Sequence, residues 1–459
     1  MRRIVLKRVL FAFILIMCSC SRAENIAPIL EQDLKVLRPV VNWNIVVGKL
    51  TDKHWGVNDQ MEGMHIVNNR MAEFYKQISP GVIRIHTSGL VELMVNSEKK
   101  EWNEDIIKEK FENAKEAYKY GDRIMLCLDD YPNYISKELP LEESEKKEII
   151  ELLGKLPGII KRLGYKVDMY EFFNEKESRF LGNYDEYWDL LNHIAKEMKK
   201  TNPDIMCGGP AVSWPSPEIY KGFIDNCAQN MDFVSFHLYA RGPGEYPNSY
   251  LFYGEHNYAE QADAAGSVID YLKEKNITNI EVFMDEFNVQ YVWEPYEPAH
   301  HNSIGASWMA CMVKNVAIQG ITGLNVWNTQ DSGAYGLNYT SAPARLYQLS
   351  NPYLRGNIVY SVESSNRVEM IPVVNKGNRK SILFINKSDS ELRLKNVSEL
   401  LGCDEDKIRV CHIDETTKVG DKNYDIIEIE DNKSDIILHP YGLILVTNIL
   451  ESTDESNVF

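Results

Sequence analysis

Short apolar runs recur along the chain between residues 53 and 345, each followed by a longer amphipathic stretch. The runs cover 54–58, 82–86, 123–129, 167–175, 205–210, 233–239, 280–286 and 322–327, with starts 28 to 47 residues apart. Near-continuous apolarity over so few residues predicts strands buried on both faces. Between them, apolar positions at helical spacing predict helices over 64–77, 103–120, 141–162, 184–200, 218–226, 258–275 and 303–318. Eight strands, each leading into a helix, predict an α/β chain closed into a (β/α)8 TIM barrel over residues 51–345. A doubly wound open sheet shares the alternation, but no glycine-rich phosphate loop follows the first strand.

Past residue 346 the rhythm changes. The runs 368–374, 381–385, 391–394, 409–413, 425–429 and 436–446 are rich in β-branched residues and separated by Asn, Lys, Asp and Gly. That spacing predicts an antiparallel β-sandwich over 346–459, joined by strands from 36–46.

The first residues read as an address. Arg2, Arg3, Lys7 and Arg8 precede an apolar run over 9–17, which is too short to span a bilayer. The run ends in Met17-Cys18-Ser19-Cys20, which resembles a bacterial lipobox, with small Ser19 ahead of an acylated Cys20. The expectation is an exported bacterial lipoprotein, with 1–19 as signal peptide and 20–50 as tether and first strands. A plain cleaved signal peptide is the alternative. Membrane attachment would be through the lipid alone.

Charge and composition narrow the partner. The chain carries 50 basic and 67 acidic residues, a formal charge of −17. Removing residues 1–19 takes four positive charges and no negative ones, leaving −21. Nucleic acid is excluded as a partner, because phosphate binding needs a basic surface. Hydrophobic, charged and aromatic fractions of 44, 25 and 10% are those of a globular protein, so disorder is excluded too. Beyond Cys20, six cysteines show no CxxC spacing, so they predict buried thiols rather than a zinc site. Cys403 and Cys411 are close enough in sequence to pair. His300-His301 lacks a third ligand at suitable spacing and reads as an exposed loop.

In a barrel of this kind, chemistry sits at the C-terminal ends of the strands. Strand four ends in Glu171-Phe172-Phe173-Asn174-Glu175 and strand seven in Met284-Asp285-Glu286-Phe287-Asn288. Two glutamates so placed supply the acid and the nucleophile that glycosidic cleavage needs. Arg84, ending strand two, and Tyr239, ending strand six, are candidate donors that keep Glu286 ionised. The charge on Glu286 is expected in turn to keep Glu175 protonated. Asn174 is placed to bond a sugar 2-OH, and Trp327 at the end of strand eight to lie under the sugar ring. His237, His86, Asn58 and Trp55 complete the expected substrate contacts. Loop aromatics such as Tyr131, Tyr134, Tyr253, Tyr291 and Trp293 offer stacking surfaces for sugars.

These motifs resemble the retaining glycoside hydrolases whose acid/base and nucleophile stand on strands four and seven. Asn174-Glu175 and Asp285-Glu286-Phe287-Asn288 carry the likeness, with His237-Leu238-Tyr239 and Gly208-Gly209-Pro210 pointing to family 39. That family includes β-xylosidases and α-L-iduronidases. Pro440-Tyr441-Gly442, ahead of an apolar last strand, fits the same group, so the likeness covers about residues 33–450. Asp285–Val289 also resembles family 51 arabinofuranosidases, but Arg84 is followed by Ile85-His86-Thr87-Ser88-Gly89 rather than Pro-Gly-Gly. The resemblance implies a retaining hydrolase of a poly- or oligosaccharide, without cofactor or metal, β-xylosidase-like in substrate. An α-L-arabinofuranosidase, an endo-acting glycanase and a non-catalytic glycan-binding lipoprotein are the alternatives. Oligomeric state is left open by the sequence.

Overall fold

The computed structural model describes residues 36–60, 71–87, 89–293, 297–329, 335, 337, 340–402, 407–414, 424–428 and 436–450. The signal segment, Cys20, Cys403 and Tyr296 lie outside them, and with them the expected lipidation and the Cys403–Cys411 pairing.

Eight parallel strands close into a barrel in sequence order. They are β1 (Gly56–Gln60), β2 (Val82–His86), β3 (Arg123–Leu128), β4 (Met169–Phe172), β5 (Met206–Val212), β6 (Phe233–Arg241), β7 (Glu281–Gln290) and β8 (Gly323–Val326). β8 pairs back onto β1 through Asn325↔Gly56 and Val326↔Val57. Gly56 is required at this closure, since a Cβ there would lie 2.7 Å from the carbonyl oxygen of Leu324. The surrounding helices are α1 (Ala72–Ile78), α2 (Glu104–Tyr118), α3 (Glu143–Arg162), α4 (Tyr184–Thr201), α5 (Pro217–Cys227), α6 (Tyr258–Glu274), α7 (Ser303–Gln319) and α8 (Ala342–Tyr353).

Side chains fill the barrel in layers. Val82, Met125, Met169, Phe233 and Phe283 form an apolar plug at the N-terminal end. Above it the layer becomes polar, with Arg84, Glu171, Asp285 and Asn325 all fully buried. This change from apolar floor to polar ceiling is what places chemistry at the C-terminal mouth.

The second unit pairs a seven-stranded antiparallel sheet with a three-stranded one. Strand Val40–Leu50 forms the edge of the larger sheet beside Gly356–Val362, and Val36–Leu37 joins the smaller sheet beside Leu392–Leu394. Helix α7 is apolar all round because both its sides are covered, by β7 and by sandwich strands including Lys380–Asn386.

Three expectations are corrected, and one strand is added. The strand expected at 54–58 begins at Gly56, because 52–55 form a 3-10 turn in which Thr51 N–H donates to His54 Nδ1 at 3.1 Å. Helix α8 runs through residue 345, so the barrel's last helix crosses the expected domain boundary. The run 436–446 is two strands, Ile436–Leu438 and Leu443–Thr447, in different sheets. Pro440 supplies no N–H there, and the Gly442 N–H closes a turn on His439 O at 3.0 Å. Strand Gly356–Val362 was not expected.

Candidate active site

Glu175 follows β4 in the left-handed region, at φ 52°. Such a backbone costs a non-glycine residue roughly 1–3 kcal/mol, so its neighbours must hold it. They do. The Asn174 N–H donates to Asp129 O at 3.1 Å and the Glu175 N–H to Ala211 O at 2.9 Å, so the ends of β3 and β5 clamp the turn. Its side chain is 43% exposed at the mouth, whereas that of Glu286 is 7% exposed. The pair therefore divides into one carboxyl open to solvent and one enclosed.

His237 on β6 lies between them. Its Nδ1 is 2.9 Å from Glu175 Oε1 and 3.6 Å from Glu286 Oε2, and its Nε2 is 3.7 Å from Asp285 Oδ2. One oxygen of each glutamate and one ring nitrogen of His237 lie within 4.8 Å of one another. Burial opposes charge on this imidazole, but Glu286 and Asp285 together with the bond to Glu175 outweigh it and hold His237 well above its ordinary value. Burial likewise pushes Glu175 up, yet the hydrogen bond and charge of His237, with Arg84 and Lys176 behind, bring its carboxyl below the usual range. These directions run against the expectation that the charge on Glu286 keeps Glu175 protonated. The proton stands on the histidine between them.

Arg84 ties the layer together. Nη1 donates to Glu286 Oε1 and to Asn58 Oδ1, both at 2.9 Å, and Nη2 donates to Asn174 Oδ1 at 2.8 Å. Nε donates to Glu171 Oε2 at 2.6 Å. Tyr239 Oη donates to Glu286 Oε2 at 2.9 Å, so each oxygen of Glu286 accepts one bond. The trio Glu175, His237 and Glu286 is close enough to hold a cation. With Arg84 and Tyr239 already on Glu286, these donors fit a proton-carrying hydrogen-bond network better than a metal centre.

The remaining expected contacts divide. Trp327 ends β8 at the mouth, with His86 edge-on to its ring at 5.3 Å. Burial and the nearby Arg84 charge hold His86 well below the ordinary imidazole value, so it stands neutral beside Trp327. Asn58 is fully buried and donates to Asp285 O at 2.7 Å, so it supports Arg84 rather than reaching a substrate. Trp55, in the turn before β1, packs edge-on to Tyr347 of α8 at 5.4 Å, away from the mouth. Tyr131 is buried under Lys137 and Arg179, and Tyr253 donates to Asn366 O of the sandwich at 3.0 Å. Neither is a free platform. His300 is buried, accepting from Gln290 N–H at 3.2 Å, and is not an exposed loop residue.

Two features went unread. Tyr335 is fully buried, stacked on His300 at 4.7 Å and met edge-on by Trp293 at 4.7 Å, within electrostatic reach of Glu286. Asp285, read only as part of the motif, is fully buried 3.0 Å from Arg84 Nε. Tyr335 carries no local sequence signal, because only closure of the barrel brings it to the site, and the strand-seven motif that holds Asp285 does not show its contact with Arg84.

The family model for glycosyl hydrolases family 39 matches residues 141–328, which run from α3 through β8. A β-xylosidase of Geobacillus stearothermophilus is 27% identical over 134 residues, covering 28% of this chain and 26% of that protein. The match thus spans about a quarter of this relative's length. Among solved structures, a monomeric β-xylosidase from Caulobacter crescentus aligns over 90% of this chain and 99% of its own, with TM-score 0.64 and 12% identity. A bacterial orthologue of human α-L-iduronidase aligns over 90% and 84%, with TM-score 0.65 and 13% identity. The barrel with its sandwich is therefore a fold shared with glycoside hydrolases, and the sequence likeness falls on the half of the barrel that carries both glutamates.

Proposed function

We propose that this protein is a retaining O-glycosyl hydrolase that cleaves a poly- or oligosaccharide by double displacement. The observation that carries the proposal is the closeness of Glu175 and Glu286, with oxygens within 4.8 Å across the mouth. Double displacement uses carboxyl groups about 5–5.5 Å apart, whereas inversion needs about 6.5–9.5 Å to admit a water between them. The family likeness over 141–328 supports the same reaction class.

Each group then has one task. Glu286, held by hydrogen bonds from Arg84 and Tyr239, attacks the anomeric carbon and forms a glycosyl ester as the glycosidic C–O bond breaks. The leaving oxygen takes a proton from Glu175, which draws it from His237 Nδ1 across their 2.9 Å bond. His237 is left neutral with its remaining proton on Nε2, facing Asp285. In the second half, Glu175 accepts a proton from water as that water attacks the anomeric carbon and frees Glu286, and passes it back to His237 Nδ1 to restore the resting pair. Asn174, held by Arg84, meets the sugar 2-OH, and Trp327 lies under the ring. No step calls for a cofactor.

A β-xyloside is the proposed substrate, supported by the likeness to proteins of that name. The exposed rings of Tyr291 and Trp293 beside the mouth favour an oligosaccharide. A panel of aryl glycosides, with sizing of products from xylo- and arabino-oligosaccharides, tests the sugar and separates exo from endo action. Turnover of arabinosides alone would favour the arabinofuranosidase, and no turnover of any glycoside would favour a glycan-binding protein. We also propose that the chain is exported and anchored through a lipid on Cys20. Among the described residues, no helix is long and apolar enough to cross a membrane.

A further inference from the structure

Beneath the two glutamates, the single Nε–H of Arg84 faces two carboxyls at once. Glu171 Oε2 stands at 2.6 Å and Asp285 Oδ2 at 3.0 Å, all three side chains being fully buried. One hydrogen cannot serve both oxygens well, and Glu171 receives it. Both oxygens of Asp285 and Oε1 of Glu171 are left buried without a hydrogen-bond partner. His237 Nε2, 3.7 Å from Asp285 Oδ2, is also without one. The other groups that face the pair are Cys127 from β3, Ser235 from β6 and Glu286 from β7.

The charges around this layer do not balance. Arg84 and a protonated His237 stand against Glu171, Glu175, Asp285 and Glu286, and an uncompensated buried ion costs several kcal/mol. Glu171 and Asp285 stand side by side on the one Nε–H of Arg84, with three of their four oxygens lacking a hydrogen-bond donor. A proton between them removes one charge and gives Asp285 the donor it lacks, as close carboxyl pairs generally do.

We propose that Glu171 works as a neutral carboxylic acid that donates to Asp285, leaving Asp285 as the single charged floor under Arg84 and His237. Glu171 is thus a positioning residue, acting on Glu286 through Arg84 and on Glu175 through Asp285 and His237. Ionising it would add a second negative charge under Arg84 and draw the guanidinium down from Glu286 and Asn174. Burial and the charge of Asp285, against the pull of Arg84, push Glu171 up to about 7. Its proton is therefore present below that pH and lost above it. The consequence for turnover rests on the glycosidase reading, whereas the place of the proton does not.

Infrared difference spectra of the full chain, taken as pH rises through neutrality, test it. The wild type should lose a protonated-carboxyl band near pH 7, and Glu171→Gln should lack that share of the band. Asp285→Asn removes the charge that raises Glu171 and should move the loss to lower pH, which keeps the test alive if the first variant does not fold. In assays on a dinitrophenyl glycoside, which needs no acid, Glu171→Gln should flatten the alkaline fall in kcat/KM, while Glu171→Ala should lower kcat at every pH. A band that survives Glu171→Gln undiminished, or an alkaline limb unmoved by it, overturns the proposal. If no glycoside is turned over, the infrared result still decides where the proton lies.

Discussion

His237 and Glu175 are joined by a 2.9 Å hydrogen bond from Nδ1 to Oε1, and the proton in that bond belongs to the imidazole in the resting site. The acid step therefore begins with a transfer inside the protein. Replacing His237 with Gln removes the stored proton. Turnover of glycosides with poor leaving groups should fall by about 10²–10⁴, the usual worth of general acid catalysis, while glycosylation by a dinitrophenyl glycoside is affected far less.

The same pair makes a stability prediction. Glu175 is depressed in the fold, so its contribution is present above its unfolded value and is lost as pH falls. His237 is raised, so its contribution is present below its unfolded value and is lost as pH rises through the folded one. The Tm gap between wild type and His237→Gln should be widest between these limits and close at both ends. A gap that does not change with pH contradicts the pairing.

Arg84 reaches six side chains from one buried guanidinium, Asn58, Cys127, Glu171, Asn174, Asp285 and Glu286. Arg84→Ala leaves buried carboxylates unopposed and should cost about 3–5 kcal/mol in urea unfolding. Arg84→Lys keeps the charge, but an ammonium cannot span those partners, so it should fold better than the alanine variant and still lose most of its turnover. Wild-type kinetics from the lysine variant would remove Arg84 from the account.

At the opposite rim, His54 is fully enclosed and lowered to about 4, because burial outweighs its bond to Ile321 O. Its stabilisation is present above pH 6.5 and lost as pH falls toward 4, a change of roughly 3 kcal/mol. His54→Gln should flatten the stability profile over that window in denaturant titrations. An unchanged acid slope would contradict the assignment.

Anchoring has its own test. Cys20→Ser should abolish incorporation of labelled fatty acid and release the protein from membranes, and continued labelling would move the anchor elsewhere.

Much of this was legible from spacing alone, and what was missed has physical causes. The barrel strands show because burial on both faces writes near-continuous apolar runs. Glu175 and Glu286 show because they fall where those runs end. Trp55 and Asn58 were misplaced by one short turn, in which side-chain bonds from His54 defeat extension. Helix α8 escaped because it is buried on nearly every side, including Arg345, Gln348 and Asn351, so it has no apolar stripe to read. The part of His237 in holding the proton is not legible, because sequence gives the order of His237, Glu175 and Glu286 but not that the imidazole stands between the carboxyls.

The central claim is that Glu286 attacks the sugar and Glu175 moves the protons. The most direct measurement is the stereochemistry of the glycosyl azide that Glu175→Ala makes from a dinitrophenyl glycoside of the preferred sugar. That variant should form the glycosyl ester on Glu286, stall for want of a base, and be released by azide to a product of retained configuration. Glu286→Ala, if azide rescues it, should give the inverted product. An inverted azide from Glu175→Ala, with retention from Glu286→Ala, would exchange the two roles and contradict the account.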